Sequence, residues 1–216
     1  MIEIIELKSR EEWLEKRKNY IGGSDAAAIV GMNPYKNNVE LWEEKTGKKE
    51  PEDISDKPFV KYGTNAEEHL RELFRLDFPE YEVGYKENNM FLNSKYPFAH
   101  ASLDGFLRDQ DGRLGILEIK TTNILQSMQK EKWRDKVPDN YFCQLLHYFA
   151  VTGFEFAVLK SQMKFDYSGD IILTTRHYHI EREDVKEDIA YLMDKEKEFF
   201  EYVKSGKVPP LVLPSL

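Results

Sequence analysis

Apolar residues recur at two spacings along the chain, and the spacing distinguishes predicted helices from predicted strands. In residues 58–78 the apolar positions recur every three or four residues, with Leu70 and Leu73 on the expected buried side, which predicts a long amphipathic helix. The pattern also predicts helices at 9–19, from Ser24, at 38–47, at 140–153 and over about twenty residues from Asp184. Short apolar runs bounded by turn residues predict strands at 81–86, 90–93, 98–107, 113–122, 154–162 and 169–180.

The order of these elements predicts one domain of the α/β class. Helices come first, followed by a meander of strands, one crossover helix and two more strands, which indicates an α+β arrangement with a central mixed β-sheet flanked by helices. We expect a single domain over residues 1–216, with a core at about 17–180 and a C-terminal helix and proline-broken tail at about 181–216. The apolar tail VPPLVLPSL should pack on the core or on a neighbouring subunit.

Composition and charge exclude several classes of protein for this chain. No apolar stretch approaches the roughly 20 residues that span a bilayer, and the acidic N-terminus is unlike a signal peptide, so we expect a cytoplasmic protein without a membrane segment. The single cysteine, Cys143, excludes an internal disulfide and a cysteine-based metal cluster. The net charge of −8 counts against nucleic-acid binding. Metal-dependent nucleases nevertheless carry carboxylates whose charge a cation offsets.

The segment GILEIKTT, residues 115–122, places two opposite charges on one face of a predicted strand. Side chains alternate along a strand, so Glu118 and Lys120 point to one side while Leu117 and Ile119 point to the other. An isolated Glu-x-Lys pair is commonly a surface ion pair that contributes about 0–1 kcal/mol. The same pattern recurs at residues 6–8 and 43–45, so neighbouring residues must decide between a structural and a chemical role.

Asp104 supplies a context that the other two matches lack. It lies in the predicted strand 98–107, and the turn RDQDGR then leads into strand 113–122, so a hairpin would bring it beside Glu118. Two such carboxylates can hold Mg²⁺ together with waters, one of which can act as a nucleophile. The ammonium of Lys120 would orient that water and stabilise charge that develops on a phosphate. The pattern therefore favours a hydrolytic metal site.

Two further polar residues fall among apolar neighbours. Glu67 lies three residues before Leu70 on the predicted long helix and should face inward, whereas Glu68 should face solvent. Gln144 lies in the apolar helix 140–153 and needs a hydrogen-bond partner there. A metal-bound water, a phosphate or a backbone carbonyl would each serve.

Five segments, in this order and spacing, resemble the YqaJ-like viral recombinase and phage lambda exonuclease family of the PD-(D/E)xK nuclease superfamily: YIGGSDAAAIVG, GTNAEEHL, HASLDGFL, LEIKTT and YFCQLLHYFAVTG. The resemblance implies a restriction-endonuclease-like core and a cofactor of Mg²⁺, or alternatively Mn²⁺, with two ions per site. It implies these roles: Asp104, Glu118 and the backbone carbonyl of Ile119 as metal ligands, Lys120 as the catalytic lysine, Glu67 near the second ion, and Gln144 in the last motif. The chain departs from the superfamily at Leu103, where proline is usual, at a position that supplies no ligand.

The resemblance also implies a site for a terminal 5′-phosphate. An arginine seven residues before Ser24, here Arg17, and a serine two residues before Asp104, here Ser102, would bind the phosphate together with Ser24 at a helix N-terminus. Lys18 is the alternative to Arg17 for this role.

The resemblance implies an enzyme that digests linear double-stranded DNA from ends carrying a 5′-phosphate and leaves 3′ single-stranded tails for phage-type homologous recombination. The resemblance further implies a ring-shaped homotrimer, a single-strand annealing protein as partner, and a phage or prophage gene expressed in a bacterial cytoplasm. Trp133 and Lys132, in the basic segment QKEKWRDK, would contact single-stranded DNA, or would lie in an exposed loop or helix of mixed charge. An endonuclease of the same superfamily and a non-catalytic module that binds DNA ends are the alternatives.

Overall fold

Two β-sheets and their flanking helices make up the fold in a computed structural model that describes residues 1–125, 127–167 and 169–213. The strands are β1 (Ile2–Glu6), β2 (Ile21–Gly22), β3 (Glu82–Gly84), β4 (Asn89–Asn93), β5 (Ala99–Ala101), β6 (Gly105–Arg108), β7 (Leu114–Ile124), β8 (Phe156–Tyr167) and β9 (Asp170–Glu181). The helices are α1 (Arg10–Arg17), α2 (Gly23–Ile29), α3 (Asn38–Lys45), α4 (Pro58–Asp77), α5 (Ser127–Lys132), α6 (Asp139–Thr152) and α7 (Lys186–Ser205).

The mixed sheet flanked by helices is confirmed, with its strands shared between two sheets rather than one. β1, β4, β5 and β2 form a four-stranded sheet in that order, and β3, β6, β7, β8 and β9 form a five-stranded sheet. Each sheet combines both strand directions, because β2 pairs in parallel with β5 and β7 pairs in parallel with β8.

The chain crosses from one sheet to the other within residues 98–107, which the pattern predicts as one strand. This segment contains β5 in the first sheet and β6 in the second, separated by a bend. Asn89 holds the bend, because its side-chain amide donates to the carbonyl of Leu103 at 2.9 Å and its Oδ1 accepts from the N–H of Leu103 at 2.8 Å. The strand prediction is therefore wrong at Asp104, which lies in the bend between the two sheets.

Helices α4 and α6 cover opposite faces of the five-stranded sheet at β7. Leu70 and Phe74 of α4 pack in one hydrophobic cluster with Leu117 and Ile119. Ile116, which points to the other side of β7, packs in the cluster that contains the core of α6. Because side chains alternate along a strand, Glu118 and Lys120 face the α6 side. They share a face opposite Leu117 and Ile119, as the sequence predicts.

The buried face of α4 differs from the predicted face. Leu70 and Phe74 are buried, but Leu73 is 47% exposed, and Arg71 is buried instead. The prediction that Leu73 marks the buried side is wrong because the buried stripe follows the four-residue spacing from Leu70 to Phe74. Glu67 stays close to this stripe, since it precedes Phe74 by two helical turns.

The N-terminal strand and the C-terminal segment up to residue 213 contact the rest of the described chain. Strand β1, which the hydrophobic pattern does not predict, pairs antiparallel with β4. The buried side chain of Asn38 donates to the carbonyl of Pro210 and accepts from the N–H of Val212, each at 2.8 Å. The tail thus contacts the core as predicted, although its residues 214–216 lie outside the described residues. In the described part of the chain, no helix has the length and apolar character needed to cross a membrane.

Candidate active site

The bend before β6 brings Asp104 beside β7, as the predicted hairpin requires. Gly105 pairs with Leu117 in the antiparallel register of β6 and β7, so the residue before Gly105 lies next to Glu118. The N–H of Ile119 donates a hydrogen bond of 2.8 Å to Oδ2 of Asp104. The structure therefore brings together Asp104 and the Glu-x-Lys strand.

The backbone carbonyl of Ile119 faces the same edge of β7 as its N–H. In a β-strand the N–H and C=O of one residue point to the same neighbour, and here the N–H reaches the Asp104 carboxylate. Strand β6 begins only at Gly105, so the strand ladder does not extend to Ile119 on this edge. The carbonyl is thus directed to the space beside Asp104, where the family resemblance implies a metal ligand.

The Glu118 carboxylate is buried, and only one of its two oxygens is hydrogen-bonded. Its side chain is 1% exposed. Oε1 accepts from Nζ of Lys120 at 2.5 Å and from Nε2 of Gln144 at 2.8 Å, whereas Oε2 has no hydrogen-bond partner among the described residues. A buried carboxylate oxygen without a donor is costly, so this oxygen is suited to a positively charged ligand.

Burial and mutual repulsion favour the protonated forms of the three acidic residues. Desolvation and then repulsion from Asp104 raise the pKa of Glu118 to about 8, although Lys120 opposes the rise. Desolvation likewise raises the pKa of Asp104. Desolvation and repulsion from Asp104 raise the pKa of Glu67 to about 7. A bound cation would counter both causes, since it supplies positive charge where the carboxylates lack it.

Lys120 carries its charge inside this site. Burial opposes the charged form, but attraction to Glu118 and Asp104 outweighs burial and raises the pKa of the ammonium above its ordinary value. This environment favours Lys120 as a hydrogen-bond donor and a positive charge over Lys120 as a base.

The partner that Gln144 requires is the Glu118 carboxylate. Nε2 of Gln144 donates to Oε1 of Glu118 and to the hydroxyl oxygen of Tyr148, each at 2.8 Å. Tyr148 follows Gln144 by one helical turn on α6 and lines the adjoining cleft, and the sequence analysis missed it. The four-residue spacing of the two polar groups on one apolar helix was the available signal.

Glu67 lies at the same site and is held by Arg71. Nη1 of Arg71 donates to Oε1 of Glu67 at 3.3 Å and to the carbonyl oxygen of Asp104 at 2.6 Å. Its guanidinium carbon lies 3.6 Å from the ring centroid of Tyr85. Arg71 is not among the predicted site residues, because arginine on a helix usually faces solvent. Its spacing of four residues from Glu67 was the only local signal.

The donor atoms fit a hard divalent cation held by few protein ligands. Asp104, Glu118 and the Ile119 carbonyl offer oxygen, the donor type that Mg²⁺ prefers. Across the residues that the structure describes, no three His, Cys, Asp or Glu side chains form a group that could hold a metal ion. Asp104 and Glu118 would give one ion two acidic side chains. This arrangement suits Mg²⁺, which keeps several of its waters when bound.

A cleft of about 990 Å³ connects Asp104 and Glu67 to the residues predicted to bind phosphate. Its lining includes Glu67, Asp104, Arg17, Ser24 and Ser102. The five predicted residues come from three separate segments of the sequence, and the fold brings them to one cleft.

Arg17 and Ser24 contact each other at one wall of this cleft. Nη2 of Arg17 donates to Oγ of Ser24 at 3.3 Å, and the guanidinium lies 4.6 Å from the ring centroid of Trp13. Lys18, the alternative to Arg17, is exposed and pairs with Glu15 at 2.8 Å. The cleft lining includes Arg17 and not Lys18.

The helix that carries Ser24 begins earlier than predicted. α2 starts at Gly23 with Gly22 as its N-cap, so Ser24 lies in the first turn. The capping oxygen comes from Asp25, whose Oδ2 accepts from the N–H of Gly22 at 3.0 Å. The Ser24 side chain is consequently not a cap, and it is exposed to the cleft.

The Ser102 hydroxyl already has two partners. It accepts from Nε1 of Trp13 at 3.0 Å and donates to the carbonyl of Asn89 at 2.7 Å. A phosphate oxygen at Ser102 would therefore compete with the Asn89 carbonyl for the hydroxyl proton.

Trp133 does not lie where base stacking requires it. The residue is 4% exposed, and its ring packs against Tyr141 and Tyr178 at centroid distances of 5.4 and 6.0 Å. The predicted contact of Trp133 with single-stranded DNA is therefore wrong, because the indole belongs to the hydrophobic core. Lys132, at the end of α5, is exposed.

Comparison with known proteins identifies relatives of the chain. Residues 12–155 match the YqaJ-like viral recombinase domain. Over 210 residues the chain is 33% identical to the uncharacterized protein YqaJ of Bacillus subtilis strain 168, a match that covers 94% of this chain and 59% of that protein. The chain thus spans about three fifths of the length of this relative.

Solved exonuclease structures share the fold. An alkaline exonuclease from Laribacter hongkongensis, LHK-Exo, matches with a TM-score of 0.65 and 19% identity over 91% of this chain and 93% of that chain. The same protein in complex with dAMP matches with a TM-score of 0.66 and 18% identity over the same shares, 91% and 93%. A phage-related exonuclease from Haemophilus somnus 129PT has a TM-score of 0.58 and 12% identity over 87% of this chain and 96% of that one. These similarities confirm the predicted mixed α/β fold, which the chain shares with solved exonucleases.

Proposed function

Because this chain belongs to the YqaJ-like viral recombinase family, we propose that it is a Mg²⁺-dependent exonuclease that degrades linear double-stranded DNA from the 5′ end. The product would be a 3′ single-stranded tail for homologous recombination. The main support for the proposal is the buried Glu118 carboxylate. Its Oε1 accepts hydrogen bonds from Lys120 and Gln144, and its Oε2 has no hydrogen-bond partner among the described residues.

The proposed site divides its roles among the residues around β7. Asp104, Glu118 and the carbonyl of Ile119 would hold the cation, which when bound activates water and neutralises phosphate charge. Lys120 would donate hydrogen bonds to the scissile phosphate and stabilise charge that develops there, because its ammonium stays protonated. Gln144 would keep the Glu118 carboxylate in one orientation. Glu67 would assist a second ion.

The proposed direction of digestion depends on the other part of the cleft. A terminal 5′-phosphate bound by Arg17, Ser24 and Ser102 would place the first phosphodiester toward Asp104 and Glu67, which line the same cleft. A guanidinium binds phosphate through charge-assisted hydrogen bonds. The dAMP in the complex of LHK-Exo is a 5′-mononucleotide, and a 5′-mononucleotide is the product that such digestion would release.

The assembly and the protein partner are also proposals. Family resemblance supports a homotrimeric ring that encloses DNA, with Mn²⁺ as an alternative to Mg²⁺, and cooperation with a single-strand annealing protein. Enclosure is compatible with the net charge of −8, because a channel can be locally basic when the outer surface is acidic.

Digestion of a linear duplex with a phosphate on only one 5′ end, beside a closed circular duplex, tests the proposal. With Mg²⁺ we expect loss of the strand that carries the 5′-phosphate, an intact circle, and no digestion after addition of a chelator. Lys120→Ala should abolish digestion. Lys8→Ala is the matched control, because Lys8 belongs to another Glu-x-Lys sequence and is exposed.

The other outcomes select between the alternatives. Cleavage of the circle would indicate an endonuclease of the same superfamily. Retained binding to duplex ends without cleavage at any Mg²⁺ or Mn²⁺ concentration would indicate a non-catalytic module.

A further inference from the structure

His100 is a buried histidine without a hydrogen-bond partner for its ring. It lies in β5 and is 3% exposed. Its ring makes edge contacts with Trp13 and Tyr20, at centroid distances of 6.3 and 6.2 Å. Within the described ranges, neither Nδ1 nor Nε2 has a hydrogen-bond partner. Unpaired buried polar nitrogens are uncommon in folded proteins, so this imidazole requires an explanation.

The imidazole lies at the phosphate-binding part of the cleft. His100 and Ser102 are two residues apart at the end of β5, so their side chains project to the same side of the chain. Both residues line the cleft together with Arg17, Gly22 and Ser24. His100 therefore adds a polar ring to a wall that already carries a guanidinium and two hydroxyls.

Gly22 accounts for the position of the ring nitrogen. β2 and β5 pair in parallel, with Gly22 opposite His100. A Cβ atom on Gly22 would lie 2.8 Å from Nε2 of His100, closer than such atoms approach in proteins. Glycine at this position gives the buried ring the space that it occupies beside Gly22, which itself lines the cleft.

The imidazole of His100 is neutral near pH 7, so it can donate a hydrogen bond without carrying a charge. Burial, followed by repulsion from His147 and Arg17, lowers the pKa of His100 to about 3. A neutral imidazole has one N–H donor and one acceptor nitrogen. It can donate to an anion without adding charge beside Arg17.

We propose that His100 is a further ligand of the terminal 5′-phosphate, with its imidazole N–H donating to a phosphate oxygen beside Arg17, Ser24 and Ser102. This inference rests on the proposed function and names a residue that selects its substrate. A 5′-hydroxyl end cannot provide the phosphate oxygens, so the buried N–H would remain unpaired. A site built around a buried hydrogen bond discriminates strongly against a ligand that lacks the partner group.

The ratio of digestion rates on two duplexes tests this role. The duplexes are identical except that one carries a 5′-phosphate and the other a 5′-hydroxyl. His100→Phe keeps a ring and removes the N–H, and we expect it to lower the phosphate-to-hydroxyl rate ratio about ten- to hundredfold, as for loss of a hydrogen bond to a charged group. His100→Gln places an amide N–H near the position of Nε2 and should restore part of the ratio. His69→Phe is the control, because His69 is exposed on α4 and is not part of the cleft lining.

A second measurement does not depend on activity or on the variants. The side-chain ¹⁵N and ¹H signals of His100 in the wild-type chain are followed as inorganic phosphate is added. We expect the N–H signal to move and to saturate. An immobile signal, or an unchanged rate ratio in a folded His100→Phe variant, would overturn the inference. Failure of the wild-type protein to digest either duplex would instead refute the proposed nuclease function, and the phosphate titration would still decide the role of His100.

Discussion

The side-chain amide of Gln144 donates to the same oxygen of Glu118 that receives the Lys120 ammonium. Two donors thus converge on Oε1, while Oε2 has no hydrogen-bond partner in the described part of the chain. Gln144 also donates to the hydroxyl of Tyr148, so one residue of α6 connects the buried carboxylate to the cleft wall. This arrangement fixes which oxygen of Glu118 is available to a cation.

Gln144→Leu should weaken cation binding, because it removes one of the two hydrogen bonds that hold the Glu118 carboxylate in one orientation. Loss of a residue that orients a metal ligand typically costs about 10–100-fold in metal affinity or activity. We expect the Mg²⁺ concentration for half-maximal digestion to rise by about that factor. Titration of digestion rate against Mg²⁺ measures the change.

Gln110→Leu provides the matched control for this titration. Gln110 lies in the exposed turn between β6 and β7, so the same substitution there should leave the Mg²⁺ requirement unchanged. An unchanged requirement in Gln144→Leu would show that Lys120 alone orients Glu118.

Arg71→Met should destabilise the fold as well as the site. The substitution removes the bonds to the Glu67 carboxylate and to the Asp104 carbonyl, together with the charge over the Tyr85 ring. Because Arg71 is buried and its partners lose their donors, we expect a loss of about 2–4 kcal/mol in the free energy of unfolding. Urea denaturation measures this loss.

Arg75→Met is the comparison variant, one turn further along α4. Arg75 is 40% exposed and pairs with Glu72 at 2.5 Å. An exposed pair contributes about 0–1 kcal/mol. Arg75 also donates to the carbonyl of Val83 at 2.8 Å, in an exposed position, so we expect a smaller loss than in Arg71→Met. Equal losses in the two variants would contradict a special role for Arg71.

Local rules of chain geometry explain which parts of the site could be predicted. Alternation along a strand places Glu118 and Lys120 on one face, and hairpin closure places Asp104 beside them. Both rules involve neighbouring residues, so the sequence alone carries the information. The bend at Asp104 did not disturb the prediction, because the register of β6 and β7 depends on the residues after it.

Tertiary packing explains the parts that could not be predicted. The segment around Trp133 is rich in charge, yet the indole is buried because Tyr178 from a distant strand packs on it. Arg71 is buried because its partners come from the bend at Asp104 and from Tyr85. The division into two sheets depends on Asn89, whose bonds to Leu103 turn the chain. None of these contacts follows from spacing within one element.

Glu196→Gln should show whether a buried ion pair stabilises the wall behind the phosphate-binding residues. His147 and Glu196 are both fully buried, with Nδ1 2.8 Å from Oε1, and Nε2 of His147 lies 2.8 Å from the carbonyl of His100. Burial opposes the charge, but Glu196 outweighs it and raises the pKa of His147. Removal of one partner of a buried pair costs about 3–5 kcal/mol, and urea denaturation at pH 6 should show this loss.

The direction of the pH dependence follows from the raised pKa. The folded protein holds the His147 proton more tightly than the unfolded chain, so the stabilisation is complete below about pH 6.5 and is lost as pH rises through the folded pKa. Glu196→Gln should lack this part of the pH dependence. Glu198→Gln, which alters an exposed pair with Lys195 on the same helix, should retain it.

Asp25→Asn should lose stability at neutral pH but not in strong acid. Burial opposes the carboxylate, yet Lys45 and then Arg17 lower the pKa of Asp25 to about 2 from 3.8. Because the folded pKa is depressed, the stabilisation is present above about pH 4 and is lost as pH falls through 2, and it amounts to about 2 kcal/mol. Denaturation curves at pH 7 and pH 2 should therefore show a difference from wild type only at pH 7, with Asp111→Asn in the exposed β6–β7 turn as control. A difference of equal size at both pH values would mean that the substitution acts through packing and not through the charge of Asp25, because an asparagine oxygen can still accept from the N–H of Gly22.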